Sequence, residues 1–485
     1  MTSPEITTSS PTPGPFSPDH VFPAFMIGGT ASGCGKTTIT LGIMAALKVR
    51  GLTVQPFKCG PDFIDPSLHR MVTGEISSNL DLCMCGEDFC RAIFQQRMID
   101  HGGSIGETVA VVEGVMGLFD GGHASSAALA LALDLPVVLV IEAGSAAESA
   151  AAVLKGFELF DPRLQIKGVI FNRVDSATHQ ALIRKAVEQS SQIKILGFFP
   201  RNIHFEIPDR HLGLHMGEEL PLNDGQLREL AATIETHIDL DGVLSLAAGR
   251  TSQPVNNREL SQRPASCPRV HAQPLKLAVA RDLPFCFYYE DNLTILEKTG
   301  FDLLPFSPLH DQQLPEGIDA LYLGGGYPEL HAATLSRNLS MRASIAAWAA
   351  SGGVVYAECG GFMYLCEELI DLEGKAHAMA GVFPATVQMQ SRLSRLGYRQ
   401  AILKRDCLWG KKGEILHGHE FHYSRIVQMA PEVETLYQLE DGRSEGFRIG
   451  NTVGGYLHLH FGRAEPAVSA FYHFIKQIQE KKRSD

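Results

Sequence analysis

The stretch GGTASGCGKTT, residues 28–38, has the residue types of a phosphate-binding loop. Glycines let backbone N–H groups converge on phosphate oxygens, Lys36 can reach the β- and γ-phosphates, and the Thr37 hydroxyl can bind Mg²⁺. The strict motif would place a glycine at Thr30, whereas here the glycine is Gly29, one residue earlier. Asn172 ends the apolar run IKGVIFN and could form hydrogen bonds with the edge of the adenine base. We predict that ATP is bound by Thr30, Ser32, Gly33, Cys34, Gly35, Lys36, Thr37, Thr38 and Asn172.

Acidic residues follow two further apolar runs, at the position where open α/β sheets bind ligands. PFKCGPDFIDP carries Lys58, Asp62 and Asp65, and TVAVVEGVMGLFDG carries Glu113 directly after a run of valines. Carboxylate oxygens are suitable ligands for Mg²⁺. We predict that Asp62, Glu113 and Thr37 bind Mg²⁺, and that Lys58 and Asp65 support catalysis or substrate binding.

A cysteine in the second half of the chain has the surroundings of a nucleophile. Cys359 lies in GGVVYAECGGFMYL, between an apolar run and a helical pattern, and a strand-turn-helix exposes a nucleophile above a sheet. The N–H groups of Gly360, and of Gly325 and Gly326 in ALYLGGGYPE, could form an oxyanion hole. With His458 of GGYLHLHFG as the base, these residues predict a thiol amidase.

His458 and His460 alternate with apolar residues, which is the period of a β-strand and places both imidazoles on one face. We predict that His460 supports the site. In HGHEFHYS one residue separates Glu420 from His422, so the geometry of a His-Glu-x-x-His zinc site is absent. CMCGEDFC lacks a second ligand pair at zinc-finger spacing and indicates buried thiols.

The composition restricts the class of protein. With 485 residues, 45% hydrophobic and 20% charged, the chain is too long for one ordinary core and has the balance of a soluble protein. Its formal net charge of −12 argues against nucleic acid or an anionic membrane as a partner. The ten cysteines are scattered and should be reduced, and the opening residues lack the pattern of a signal peptide. We expect a cytoplasmic location.

Short β patterns alternate with longer helical patterns up to about residue 240. The candidate strands are AFMI, TVQPF, TVAVVE, PVVLVIE, IKGVIFN and KILGFF, a rhythm that predicts βαβ units and a parallel sheet. Gly51 is placed to end the first helix. The pattern resumes with LKLAVARD, IDALYLGGG and GGVVYAECGG. The predicted divisions are a disordered tail (1–22), a P-loop ATP-binding domain (23–245), a linker (246–274) and a second α/β domain (275–485).

The two predicted sites suggest one reaction. An amidase frees ammonia from glutamine, and ATP can phosphorylate a carboxylate to an acyl phosphate with a good leaving group. Together they indicate ATP-dependent amidation of a carboxylic acid.

Several motifs together resemble the cobyrinate a,c-diamide synthase family over essentially the whole chain after residue 22: GTASGCGKTT, KCGPDFIDP, VEGVMGLFDG, IPDRHLGL, PFSPLHD, LGGGYPEL, AECGGFMYL, GHEFHYS and YLHLHFG. The resemblance implies a dethiobiotin-synthetase-like P-loop amidoligase domain followed by a class I glutamine amidotransferase domain. It implies amidation of the a and c side-chain carboxylates of cobyrinate or hydrogenobyrinate, in cobalamin biosynthesis, with ATP, Mg²⁺ and glutamine. It further implies that Cys359 forms the thioester and that His458 is its base, with nucleotide and metal groups at Lys36, Thr37, Asp62 and Glu113.

One position departs from the wider amidotransferase class. Class I enzymes usually carry Glu two residues after the catalytic histidine, and here that residue is His460, so we describe a Cys-His dyad. Two related enzymes remain alternatives: nickel-sirohydrochlorin a,c-diamide synthase and cobyric acid synthase. A protein of another class is a further alternative, namely a regulatory or partitioning ATPase with an inert amidase-like domain. KCGPDFIDP and GHEFHYS favour the diamide synthase over cobyric acid synthase, and the nickel-sirohydrochlorin enzyme is closer still. The sequence leaves the oligomeric state open, a homodimer included.

Overall fold

The computed structural model describes residues 22–100, 107–201, 205, 209–210, 213–214, 216–217, 224–248 and 274–484. The predicted disordered tail lies outside the described residues except for Phe22. Most of the predicted linker also lies outside them, and its first three residues belong to a helix that ends at Ala248.

The described residues of the first half contain a parallel sheet of seven strands: β1 Ala24–Gly29, β2 Thr53–Cys59, β3 Ser78–Leu80, β4 Thr108–Glu113, β5 Val137–Glu142, β6 Ile166–Asn172 and β7 Lys194–Phe199. Their spatial order is β3-β2-β4-β1-β5-β6-β7. β1 and β4 are buried at every position, as expected of central strands covered by helices on both faces. The six predicted strands are confirmed, and β3 is a short addition that the sequence pattern did not reveal.

Helices cover both faces of this sheet: α1 Lys36–Val49, α2 Ile64–Thr73, α3 Glu87–Asp100, α4 Ser126–Ala132, α5 Glu148–Phe160, α6 Ala177–Ser190, α7 Asp224–His237 and α8 Leu240–Ala248. Two short strands, β8 Asp209–Arg210 and β9 Gly213–Leu214, pair with each other. The predicted end of α1 is confirmed, because Gly51 has a φ of +85° and donates its N–H to the Lys48 carbonyl at 2.9 Å. In the described parts of the chain, no helix is long and apolar enough to cross a membrane.

The second half has a mixed architecture. Its strands are β10 Leu275–Ala280, β11 Phe301–Phe306, β12 Ala320–Leu323, β13 Val354–Glu358, β14 Cys366–Ile370, β15 Ala376–Ala378, β16 Phe383–Met389, β17 Arg395–Leu403, β18 Ile415–His422, β19 Ser424–Met429, β20 Glu434–Leu439, β21 Ser444–Ile449, β22 Thr452–Gly455 and β23 His458–Leu459. Its helices are α9 Glu290–Thr299, α10 Ala332–Arg337, α11 Leu339–Ala350, α12 Gly360–Leu365 and α13 Glu465–Ser484.

Ten of these described strands form one sheet in the order β11-β10-β12-β13-β22-β21-β20-β17-β18-β23, and four form a smaller sheet, β15-β14-β16-β19. The first five strands of the large sheet are parallel, and the remaining pairings are antiparallel. The antiparallel part returns the chain so that β23 pairs with β18, His458 opposite His419.

The two halves make polar contacts with each other. Arg97 of α3 pairs with Asp291 of α9 at 2.9 Å, and Ser78 donates to the same carboxylate oxygen at 3.0 Å. The Tyr398 hydroxyl donates to Asp81 at 2.8 Å. These buried contacts fix β3 and α3 of the first half against the second half.

We predict that Arg97→Ala weakens this interface. Burial raises the pKa of Asp291 and Arg97 counteracts it, so the substitution leaves a buried carboxylate without its cation, at a cost of about 3 kcal/mol. Thermal unfolding should show a lower midpoint than for the wild type. Arg163→Ala is the matched control, because Arg163 pairs with Asp161 on the surface, and its midpoint should not change. Equal midpoints for the two variants would contradict the prediction.

Candidate active site

The phosphate-loop residues form a turn between β1 and α1. Gly33 and Gly35 have φ values of +77° and +90°, the left-handed region that favours glycine. Thr30 donates its N–H to the Val140 carbonyl at 3.1 Å, and Asn172 donates its side-chain N–H to the Cys34 carbonyl at 2.8 Å. Asn172 therefore stabilises the loop through this hydrogen bond with its backbone. Its predicted contact with adenine stays a prediction.

The predicted cationic and acidic residues meet beside this loop. The Lys58 ammonium lies 2.5 Å from Asp65, 3.5 Å from Glu113 and 3.8 Å from Asp62. The Thr37 hydroxyl donates to Glu113 at 2.7 Å. All five side chains thus share one crevice at the carboxyl ends of β1, β2 and β4.

One buried ammonium faces three carboxylates in this crevice. Burial acts to raise the pKa of Glu113, but the nearby Lys58 ammonium and a hydrogen bond from His69 hold it well below its usual range. Burial acts to lower the pKa of Lys58, but Asp65, Glu113 and Asp62 raise it, so Lys58 stays cationic. Burial, and then the charges of Asp62 and Glu113, raise the pKa of Asp65, so Glu113 is the carboxylate most firmly held in its ionised form. This carboxylate and the Thr37 hydroxyl beside it are oxygen ligands of the kind that fit a Mg²⁺ ion bound to phosphate.

The sequence analysis missed His69. Its Nε2 lies 2.7 Å from Glu113 and its Nδ1 lies 2.9 Å from the Ser77 hydroxyl, with the whole side chain buried. The available signal was its spacing of four residues from Asp65 on α2, which places both on one helix face.

Lys36 points out of its helix toward the loop that follows β4. Its Nζ donates to the Met116 carbonyl at 3.2 Å. Met116 is not a glycine yet has a φ of +46°, a strained conformation of the kind that functional loops retain.

In the second half, Cys359 lies between β13 and α12 with φ 44° and ψ −103°. The fold holds this strained turn, because the Cys359 N–H donates to the Gly455 carbonyl at 2.6 Å and the Gly361 N–H donates to the Gly324 carbonyl at 3.0 Å. Burial, and then the charge of Glu329, raise the pKa of the Cys359 thiol, while the Gly360 N–H acts to lower it. The thiol therefore needs a base to become a nucleophile.

The predicted oxyanion glycines pack closely against one another and against His458. A Cβ on Gly360 would lie 3.0 Å from the Gly326 nitrogen, and a Cβ on Gly325 would lie 2.4 Å from Cε1 of His458. The structure thus places the glycine turn between the residue after Cys359 and the imidazole of His458.

His458 lies on β23, which is shorter than the predicted strand and has only two residues. Its pKa is lowered to about 3 by burial and then by His419 and His422, so the imidazole is neutral at physiological pH. Its Nδ1 lies 3.9 Å from the Glu358 carboxylate. A neutral imidazole is the form that can accept a proton.

His460 has different neighbours. Its ring lies 5.4 Å from that of Phe89 and 4.9 Å from that of Tyr289, and its Nδ1 accepts the Gly462 N–H at 3.1 Å. These contacts place His460 in the interface between the halves, and a supporting role in catalysis stays a prediction.

A cavity of about 460 Å³ lies in the second half, and Cys359 itself is not part of its wall. Its wall includes Tyr456, which follows the Gly455 that binds the Cys359 N–H. Charged residues of both signs line it: Arg395, Glu420, Arg425, Arg443 and Glu445.

One aromatic side chain joins the two sites. Phe63 follows Asp62, and its ring stacks on Phe287 at 4.8 Å and on Tyr289 at 4.4 Å. The same ring lies 5.2 Å from the imidazole of His458. A loop of the acidic crevice therefore touches the predicted base of the amidase.

Comparison with known proteins identifies both halves. Residues 25–214 match the model described as CobQ/CobB/MinD/ParA nucleotide binding domain, and residues 276–466 match the CobB/CobQ-like glutamine amidotransferase domain. The chain is 42% identical over 446 residues to the cobyrinate a,c-diamide synthase of Listeria innocua, covering 90% of this chain and 96% of the relative. It is 42% identical over 463 residues to that of Streptococcus sanguinis, covering 93% and 99%.

Among solved structures, one similar chain is a glutamine amidotransferase with 17% identity and a TM-score of 0.31. The match covers 41% of this chain and 97% of that one.

We predict that Gly35→Ala weakens nucleotide binding. The new Cβ would lie 2.0 Å from the Asn172 amide nitrogen that holds the loop, in addition to the backbone strain of a positive φ. Isothermal titration with ATP should show at least a tenfold loss of affinity, since ~1.4 kcal/mol of strain suffices for that factor.

Gly33→Ala is the control, because its φ is also positive but a Cβ there would meet nothing within 4 Å. It should bind ATP more tightly than Gly35→Ala does. The reverse order would show that the contact between Gly35 and Asn172 does not shape the loop.

Proposed function

This chain belongs to the cobyrinate a,c-diamide synthase family, and on that premise we propose that it amidates the a and c side-chain carboxylates of cobyrinate or hydrogenobyrinate. The nitrogen comes from glutamine, and ATP activates each carboxylate as an acyl phosphate. The reaction belongs to cobalamin biosynthesis.

The contact of Phe63 with His458 carries this proposal, because it joins a phosphate-binding crevice to a thiol-amidase site within one chain. Ammonia is mostly protonated in neutral water and is then not a nucleophile. Release beside the interface would deliver it unprotonated to the activated carboxylate.

In the amidase half, His458 takes the proton of the Cys359 thiol, and the sulfur attacks the side-chain carbonyl carbon of glutamine. Backbone N–H groups of Gly325, Gly326 and Gly360 stabilise the oxyanion. The proton returns to the departing nitrogen, ammonia leaves, and water hydrolyses the thioester to glutamate.

The cavity lined by Tyr456 is the proposed glutamine pocket. The amino-acid end of glutamine carries a positive ammonium and a negative carboxylate. Glu445 can bind the ammonium and Arg395 the carboxylate, while the side-chain amide points toward Cys359. Glu420 and Arg443 already pair with each other at 2.7 Å and form part of the wall.

In the synthetase half, the substrate carboxylate attacks the γ-phosphorus of ATP, and ADP leaves. The loop N–H groups and Lys36 bind the phosphates, and Thr37, Asp62 and Glu113 would hold Mg²⁺, which neutralises phosphate charge. Lys58 holds Asp65 and Glu113 in place through the 2.5 Å and 3.5 Å contacts. Ammonia then attacks the acyl carbon and phosphate leaves.

The decisive experiment incubates the protein with cobyrinate, Mg-ATP and glutamine and follows the product by mass spectrometry. Two sequential replacements of OH by NH₂ are expected. Parallel incubations with nickel-sirohydrochlorin and with cobyrinate a,c-diamide separate the alternative substrates. Folded protein that hydrolyses glutamine but leaves cobyrinate unchanged would overturn the proposal.

We predict that Cys359→Ala abolishes product formation from glutamine but not from added ammonium salt at alkaline pH. Lys36→Ala should remove both activities, because each depends on the acyl phosphate. An unchanged glutamine reaction in Cys359→Ala would show that another residue is the nucleophile.

We further predict that Phe63→Ala uncouples the two reactions. Without the ring, water can enter between the sites, so glutamate should form in excess over amidated product, whereas the wild type should approach one to one. Parallel measurement of both products checks this. Phe160→Ala is the control, because Phe160 is 72% exposed in the synthetase half, and it should keep the wild-type ratio.

A further inference from the structure

Glu358 lies immediately before Cys359, at the end of β13, and is buried. The chemistry proposed for Cys359 and His458 does not use this carboxylate. A buried carboxylate is costly unless it is hydrogen-bonded, so its partners indicate what it does.

Three donors hold this carboxylate. The Tyr356 hydroxyl donates to Oε1 at 2.6 Å, and the Tyr322 hydroxyl donates to Oε2 at 3.0 Å. The Leu459 N–H donates to Oε1 at 3.0 Å. Because Leu459 follows His458 on β23, one carboxylate oxygen fixes the backbone that carries the base.

The other oxygen faces the base itself. Oε2 of Glu358 lies 3.9 Å from Nδ1 of His458, and this nitrogen is buried without a hydrogen-bond partner in the described part of the chain. His460, which fills the position where class I enzymes usually have Glu, has its ring against Phe89 and Tyr289 instead. Among the residues that the structure describes, the carboxylate paired with this nitrogen of His458 comes from the residue before the predicted nucleophile.

We propose that Glu358 is the positioning residue of the amidase, which orients His458 through its backbone and stabilises the imidazolium through Nδ1. The proposal rests on the amidase chemistry proposed above. In the resting site Nδ1 carries the proton and Nε2 is free to accept one. When Nε2 takes the thiol proton, the positive charge on the ring draws Oε2 and Nδ1–H together. When the proton passes to the departing nitrogen, the attraction relaxes.

The energetics of the site support this role. Burial, and then His419 and His422, lower the pKa of His458 to about 3, so an imidazolium without a counter-charge would be unfavourable there. Burial raises the pKa of Glu358 to about 7, while its three donors act to lower it. Glu358 therefore changes charge near neutral pH, and only its ionised form can balance the imidazolium.

The other titratable groups that face Glu358 do not change charge near neutral pH. Burial raises the pKa of each neighbouring phenol above its usual value, so all stay neutral: Tyr288, Tyr289, Tyr322, Tyr356 and Tyr437. Cys359 likewise has a raised pKa. Glu445 in the glutamine cavity has its pKa raised to about 7 as well, so a pH profile of the wild type alone cannot assign the group.

The test is glutamine hydrolysis by the full chain from pH 6 to 9. Glu358→Gln should lower kcat by at least about 100-fold with little change in KM, because the base loses its counter-charge and not its substrate contacts. Glu434→Gln, at a surface ion pair with Arg405, is the matched control and should behave as the wild type does. Amidation with added ammonium salt should persist in Glu358→Gln.

Tyr356→Phe keeps the carboxylate but removes a donor that lowers its pKa. The fall in rate on the acid side should therefore move to higher pH, and Glu445 would not respond in this way. This variant also covers the case in which Glu358→Gln fails to fold.

Near-wild-type kcat in Glu358→Gln, or an unmoved acid limb in Tyr356→Phe, would overturn the proposal. Failure of the corrinoid assignment is a separate result, because glutamine hydrolysis does not need the corrinoid product.

Discussion

The contact between Phe63 and His458 joins the two chemistries of this protein. Phe63 stacks on Phe287 and Tyr289, and the Tyr289 hydroxyl donates to the Pro61 carbonyl at 3.2 Å, so the loop from Pro61 to Phe63 is held in the amidase half by rings and a hydrogen bond. Asp62 in the same loop belongs to the acidic crevice. The aromatic contact at this point packs the loop of the acidic crevice directly against the predicted base of the amidase.

Each site contains a buried charge that the surrounding fold compensates. Lys58 has three carboxylates within 4 Å, and Glu358 accepts three hydrogen bonds. Burial without these partners would cost several kcal/mol per ion. A charge held in this way needs little reorganisation during a reaction, which is the physical basis of electrostatic catalysis.

Strained backbone residues lie in both candidate sites. Cys359, Met116 and Arg173 all have positive φ values. Met116 presents its carbonyl to Lys36, and Arg173 donates its N–H to the side chain of Asn172 at 2.8 Å. Strain of about 1–3 kcal/mol at each position persists because strands and hydrogen bonds on either side determine the geometry.

The sequence by itself determined the local features: six parallel strands from their apolar runs, the phosphate loop from its glycines and Lys36, and the cysteine turn from its place between a strand and Gly360. These depend on the spacing of neighbouring residues, which the one-dimensional pattern records.

Only the tertiary structure decided which distant residues meet. In the folded chain His69 contacts Glu113, and Asn172 forms a hydrogen bond with the phosphate loop. His460 lies in the interface between the halves, and Glu358 lies beside His458. Each of these outcomes depends on how strands far apart in the chain pair and how the two halves pack. The spacing of residues within one element can show which side chains share a face, but it does not record which distant partner they meet.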